Sequence, residues 1–87
     1  MARKAKNVRP MFTPGTILIE DEAPKGWAVI RQGRTFDDES ECIGCNIIES
    51  YARGLFAQLS KGPSDKRTYL LAPEGCGYRV VSAHYGM

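Results

Sequence analysis

The sequence predicts an α+β fold of order ββαββ, with one amphipathic helix packed on one face of a four-stranded, mainly antiparallel sheet. Two observations lead to this prediction. Residues 37–60 form a long stretch with apolar residues at helical spacing. The rest of the chain consists of short β-branched runs separated by Gly and Pro, which is typical of strands and turns. Because one helix cannot cover two separate hairpins, we expect all four strands in one sheet.

The two strands before the helix are predicted to form a hairpin. Residues 16–20 (TILIE) and 27–32 (WAVIRQ) are rich in the β-branched residues that favour strands. Between them, Pro24, Lys25 and Gly26 supply turn chemistry, because proline presets φ and glycine tolerates positive φ. We therefore expect these two strands to lie side by side.

The central stretch is predicted to be a helix with one apolar stripe facing the core. Asp38 and Glu41 form a capping box at its start. Asn46 and Glu49 form a second capping box, so a later start, with residues 42–45 as a turn, stays open. The stripe consists of Cys45, Ile48, Tyr51, Ala52, Leu55, Phe56 and Leu59.

Two isoleucines fall off this stripe and are candidates for a partner-binding surface. Ile43 and Ile47 are expected either to be covered by the N-terminal segment or to be exposed for a partner. Trp27, Arg31 and Arg79 of the predicted strands are further candidates, since a sheet face opposite the helix is open to solvent. Together these five residues form the predicted partner-binding set.

The two strands after the helix are predicted to form a second hairpin. Residues 68–72 (TYLLA) and 78–85 (YRVVSAHY) are mostly apolar, β-branched or aromatic. The segment between them, residues 73–77, contains Gly75 and Gly77, which suit the positive φ of tight turns. These two strands are therefore expected to be neighbours in the sheet.

Basic residues are concentrated at the start of the chain, where residues 1–15 are predicted to form an arm that precedes a single domain of residues 16–87. The first ten residues hold four basic and no acidic side chains, whereas the rest holds eight basic and ten acidic ones. Such an arm binds a phosphate backbone by counterion release. The candidate nucleic-acid-binding residues are Arg3, Lys4, Lys6 and Arg9, extended by Lys66 and Arg67 after the helix.

The three cysteines are predicted to be reduced thiols, because an odd number argues against a secreted disulfide framework. Acidic neighbours oppose thiolate formation in the Cys42-x-x-Cys45 pair and so disfavour a redox role. With Cys76 and His84, the pair makes a permissible tetrahedral zinc set. An extended strand would separate Cys76 from His84 by about 26 Å, however, so no metal site is expected.

No catalytic or cofactor-binding motif stands out, so the sequence predicts a protein that is not an enzyme and that needs no cofactor. It contains no glycine-rich nucleotide-binding pattern, and the single histidine, His84, lacks the partners of a catalytic triad. No apolar run approaches the roughly 18 residues of a membrane span, and no apolar stretch follows the basic start. We therefore expect no membrane association and a cytoplasmic location.

In size and overall type, the chain resembles the small proteins that phages and other mobile elements encode, of which anti-CRISPR proteins are the clearest group. The shared features are a length below about 100 residues, one helix on a small antiparallel sheet, and no active-site motif. The resemblance implies a non-catalytic protein that binds a host protein or ribonucleoprotein complex and inhibits it. It involves no motif, so it implies no site residue. A small nucleic-acid-binding protein that uses the basic arm is the alternative.

Overall fold

The computed structural model describes residues 8–62 and 65–85, which form one antiparallel sheet of five strands and one helix. The strands are β1 (Ile17–Ile19), β2 (Trp27–Gln32), β3 (Glu41–Ile47), β4 (Arg67–Glu74) and β5 (Gly77–His84), and helix α1 spans Glu49–Leu59. The α+β class, with one helix and an antiparallel sheet, is therefore confirmed. The predicted strand count is wrong, because the observed order βββαββ adds one strand before the helix.

The order of strands across the sheet is β1-β5-β4-β2-β3. Strands β4 and β5 form the predicted second hairpin, and Gly75 in its turn has a φ of 60°. The predicted first hairpin is wrong, because β1 pairs with β5 and places Leu18 opposite Tyr78. The connection after β1 runs past β5 and β4 to reach β2, because both of these strands lie between β1 and β2 in the sheet. A turn-like sequence therefore joins two strands that are not neighbours.

The stretch before the helix is an edge strand paired with β2, so its predicted helical structure is wrong. Gly44 lies in this strand close to Ile47 and Leu55, and a Cβ at its position would come within 3.2 Å of both side chains. Asn46, one residue before the end of the strand, has a φ of 58°, and its Oδ1 accepts a hydrogen bond from Lys25 N. Neither predicted capping box forms: the residue before the helix is Ile48, which makes no side-chain capping bond.

The helix covers one face of the sheet and closes the first of two apolar clusters. Fully buried Val29, Ala52 and Leu70 form the centre of this cluster. Packed around them are Trp27, Ile43, Ile47, Leu55, Phe56, Leu59 and Val81. The predicted stripe is confirmed at its C-terminal end, but Ile48 and Tyr51 are 71% and 59% exposed, because the helix begins one residue after β3, which already fills this part of the core.

The second cluster lies on the opposite face, where the N-terminal segment of residues 8–15 covers part of the sheet. Its buried residues are Ala28, Tyr69, Leu71 and Val80. Phe12 packs on Tyr69 with ring centroids 5.2 Å apart, and Phe12 N donates to the Tyr69 hydroxyl at 3.2 Å. The N-terminal segment therefore covers Tyr69, and the expectation that it covers the two isoleucines off the helical stripe is wrong.

Candidate functional site

The part of this second face that residues 8–15 leave uncovered forms a shallow apolar cleft, which we call the open-face cleft. It crosses every strand of the sheet and has a volume of about 260 Å³. Its lining comes from Leu18 on β1, Tyr78 on β5, Leu71 on β4, Ala28 and Ile30 on β2, and Cys42 and Cys45 on β3, with Glu20 at one end. The cleft is thus assembled from residues that are far apart in the chain.

A second, more polar cleft of about 270 Å³ adjoins the first, and Tyr78 and Glu20 line both. Its other walls include Glu22, Lys25 and Asn46 from the loop after β1 and the end of β3. Each cleft is smaller than the roughly 300–1,000 Å³ of sites that hold a small molecule or cofactor. The dimensions therefore suit the insertion of one or two side chains of another protein.

The two thiols of the cleft lie next to each other because β3 is irregular. In a regular strand, residues three apart point to opposite faces. Between Cys42 and Cys45 the pairing with β2 shifts: Ile30 lies opposite Cys42, but Val29 lies opposite Gly44, which leaves one extra residue on β3. This β-bulge reverses the alternation, so both thiols line the open-face cleft.

The cleft disfavours negative charge on two of its side chains, Cys42 and Tyr78. Partial desolvation, followed by the hydrogen bond to Cys45 and its charge, raises the pKa of Cys42 from 9.0 to about 11. Desolvation also raises the pKa of Tyr78, with smaller contributions from the charges of Cys45, Glu20 and Cys42. At neutral pH the cleft therefore presents Cys42 as a neutral thiol and Tyr78 as a neutral phenol.

We expect the substitution Cys45→Ala to speed alkylation of Cys42 at alkaline pH. Removing Cys45 deletes two of the three causes that raise the pKa of Cys42, so the thiolate should form at a lower pH. The measurement is the rate of iodoacetamide labelling against pH, made in a Cys76→Ser background that leaves one reactive thiol. An unchanged profile between pH 9.0 and about 11 would show that Cys45 does not influence its neighbour.

The predicted zinc set is not brought together. Cys42 and Cys45 meet at the cleft, but Cys76 lies in the β4–β5 turn and His84 at the far end of β5. Seven residue steps of β5 separate the two ends by about 23 Å. Within residues 8–62 and 65–85, no three His, Cys, Asp or Glu side chains are grouped to hold a metal ion.

The candidate nucleic-acid-binding residues that the structure describes make contacts within the protein. The Arg9 guanidinium donates to two backbone carbonyls of the loop before β3. Arg67 is 4% exposed and donates to the Arg9 carbonyl oxygen at 2.7 Å. Lys66 Nζ donates to the Glu39 carbonyl oxygen at 2.5 Å. The remaining candidates lie outside the described residues: Arg3, Lys4 and Lys6.

The candidate partner-binding residues all lie on the helix side of the sheet. Ile43 and Ile47 are half-buried in the helix-side cluster, and Trp27 packs there beneath the Arg53 guanidinium. By strand alternation, Arg31 lies on the same side as Val29, and Arg79 on the side opposite Val80. The expectation that Trp27, Arg31 and Arg79 lie on the open face is therefore wrong.

Sequence reasoning missed the apolar side chains that form the cleft. Leu18, Leu71 and Tyr78 occur on strands that were recognised, but they meet only because β5 and β4 lie between β1 and β2. The Cys-x-x-Cys spacing was the one local signal that pointed to this place. The sequence predicts a helix or a turn at these two cysteines, and neither structure would place both thiols on a sheet face.

The chain's own geometry defines the candidate site. No protein-family model, curated protein or solved structure matches the chain. Among the residues that the structure describes, no helix is long and apolar enough to cross a bilayer. The open-face cleft, its thiol pair and its acidic end are therefore the features on which a functional proposal has to rest.

Proposed function

We propose that this chain is a non-catalytic protein-interaction module that binds a partner protein through the open-face cleft. The observation that supports this proposal is the cleft itself, an apolar depression that crosses all five strands on the sheet face opposite the helix. Contiguous apolar surface on a soluble domain marks a place where another molecule docks. The cleft is smaller than a cofactor site, and this favours a partner side chain as its occupant.

The charges around the cleft indicate which partner chemistry would fit. Glu20 lines both clefts where they meet, and Glu22 lines the second one. Acidic groups beside an apolar depression favour a partner that presents an apolar side chain next to a basic one. A role as an inhibitor of a host protein or ribonucleoprotein follows only from the resemblance in size and architecture and stays a prediction.

Photocrosslinking tests whether the open-face cleft contacts a partner. We expect a benzophenone amino acid in place of Tyr78 to give one adduct of defined mass in nuclease-treated host lysate. The same group in place of Tyr51, which is 59% exposed on the helix, is the matched control and should give none. An excess of the unmodified protein should suppress the adduct, because a specific site is saturable.

The partner identified in this way permits a direct binding measurement. We expect Tyr78→Glu to weaken binding by about 2 kcal/mol or more, roughly a thirtyfold increase in Kd, since the change places a charge at the centre of the interface. Tyr51→Glu makes the same chemical change on the opposite face and should leave Kd unchanged. Equal adducts from both positions, or equal Kd values for both variants, would exclude the open-face cleft as the interface.

The alternative function, nucleic-acid binding, stays a prediction for the basic residues at the start of the chain. Its supporting observation is the run of four basic residues without an acidic one among the first ten. Deleting the whole run would remove the Arg9 carbonyl to which Arg67 donates, so substitution is the cleaner test. Changing Arg3, Lys4 and Lys6 to Gln should abolish low-salt binding to single- or double-stranded nucleic acid if this alternative holds.

A further inference from the structure

The two thiols at the β3 end of the open-face cleft are arranged as a pair. We propose that Cys42 and Cys45 are a redox modification site, which forms a reversible intramolecular disulfide by exchange with a low-molecular-weight disulfide. The β-bulge between them turns both side chains to the same face of the sheet, where both line one cleft. Both residues are exposed, so a small disulfide has access to either sulfur.

The position on an edge strand makes the closing movement possible. A disulfide needs Cα atoms within about 7 Å and a sulfur–sulfur distance near 2 Å, so the two reduced sulfurs must move closer together. Strand β3 is hydrogen-bonded to β2 alone, and its register already shifts twice along that pairing. The bulge can therefore tighten without displacing a second strand.

The exchange is balanced in atoms and electrons. The thiolate of one cysteine attacks the small disulfide, a mixed disulfide forms, and the first small thiolate leaves and takes up a proton. The second cysteine thiolate then attacks the sulfur of its neighbour, so the Cys42–Cys45 bond forms and the second small thiolate leaves. In total, two cysteine thiols lose two electrons and two protons, and one small disulfide is reduced to two thiols.

The surroundings of the pair favour this product. Partial desolvation in the apolar cleft disfavours the thiolate of Cys42, whereas a dithiol and a disulfide are both uncharged. A cysteine pair is strongly oxidising when its reduced form is stabilised as a thiolate, and this stabilisation is missing here. The disulfide should therefore be slow to form at neutral pH and resistant to reduction once formed. It forms whether or not the cleft binds a partner.

The test uses the full chain with Cys76→Ser, which leaves only the paired thiols. The folded variant is equilibrated with mixtures of reduced and oxidised glutathione, quenched with acid, alkylated and weighed by mass spectrometry. We expect an intramolecular disulfide, identified by the loss of two hydrogen atoms and by a peptide linking Cys42 to Cys45. Compared with the same chain in urea, closure in the native state should be favoured at least about tenfold, since folding raises the effective concentration of the two thiols.

A matched variant carries two thiols that the fold keeps apart. Cys45→Ser retains Cys42 in the cleft and Cys76 in the β4–β5 turn, and it should accumulate glutathione on each thiol without an intramolecular bond. The proposal is overturned if the native Cys76→Ser variant stays a dithiol in oxidising mixtures or carries two glutathiones. It is also overturned if closure is as favourable in urea as in the native state, because the fold then contributes nothing.

Discussion

The substitution Gly77→Ala is expected to lower the free energy of unfolding by about 3 kcal/mol, because it forces β1 away from β5. A Cβ at Gly77 would fall onto the carbonyl oxygen of Leu18, far inside van der Waals contact, and within 3.0 Å of Ile19 Cα. Both neighbours are backbone atoms, so no side-chain rotation relieves the clash. The strand must move, and Leu18 then leaves the open-face cleft.

Thermal and urea unfolding followed by circular dichroism measure this loss. For a chain of this length, about 3 kcal/mol corresponds to a fall in Tm of about 12 °C or more. Gly54→Ala is the matched control, because a Cβ there would meet no atom within 4 Å and the site lies within the helix. It should raise stability by up to about 1 kcal/mol.

The Gly77 variant also separates two arrangements of β1. In the hairpin predicted from sequence, β1 would pair with β2. In the observed sheet, Leu18 lies opposite Tyr78 on the neighbouring β5. Equal stability of the Gly77→Ala and Gly54→Ala variants would therefore contradict the placement of β1 beside β5, and with it the lining of the cleft.

Strands and helix could be located from sequence wherever one periodicity dominated. Residues 27–32 were predicted as the strand that is observed, and β4 and β5 were located to within two residues at each end. The helix predicted for residues 41–47 is wrong because the β-bulges of this strand interrupt the alternation by which a strand is recognised. Cys45, Ile48 and Tyr51 then resemble the spacing of a helix, although all three are exposed.

The candidate site depends on information that local patterns do not contain. Composition and turn residues indicated that β1 and β2 are consecutive, which made a hairpin the natural expectation. The observed order inserts β5 and β4 between them, and this order is set by which strands bury each other's side chains over long sequence separations. Cys42 and Cys45 were recognised as a pair, whereas Leu18 and Tyr78 could not be placed beside them.

The substitution Gln32→Leu is expected to lower the free energy of unfolding by about 3 kcal/mol, because it leaves a buried guanidinium with fewer partners. Gln32 Oε1 accepts hydrogen bonds from the Tyr69 hydroxyl at 2.9 Å and from Arg67 Nη1 at 3.0 Å. Gln32 and Arg67 are 6% and 4% exposed. Leucine has a similar size, so the loss would come from the polar atoms and not from a cavity.

Arg67 makes this network sensitive to the loss of a single acceptor, because no carboxylate among the described residues pairs with its guanidinium. Its other partner at Nη1 is the Arg9 carbonyl oxygen, and its Nε has no hydrogen-bond partner among the described residues. A buried cation held only by neutral acceptors depends on each of them for its solvation. Removing one acceptor should therefore also loosen the N-terminal segment that Arg9 belongs to, and amide hydrogen exchange of Phe12 reports that loosening.

Gln32→Glu is the control that keeps the shape and both acceptor positions while adding a negative charge beside Arg67. We expect its stability at neutral pH to lie within about 1 kcal/mol of the unsubstituted protein, since the new carboxylate pairs with the buried guanidinium. Urea titrations at neutral and acidic pH measure both variants. Equal losses for the Leu and Glu substitutions would mean that Gln32 acts through packing alone, and that Arg67 does not rely on its oxygen.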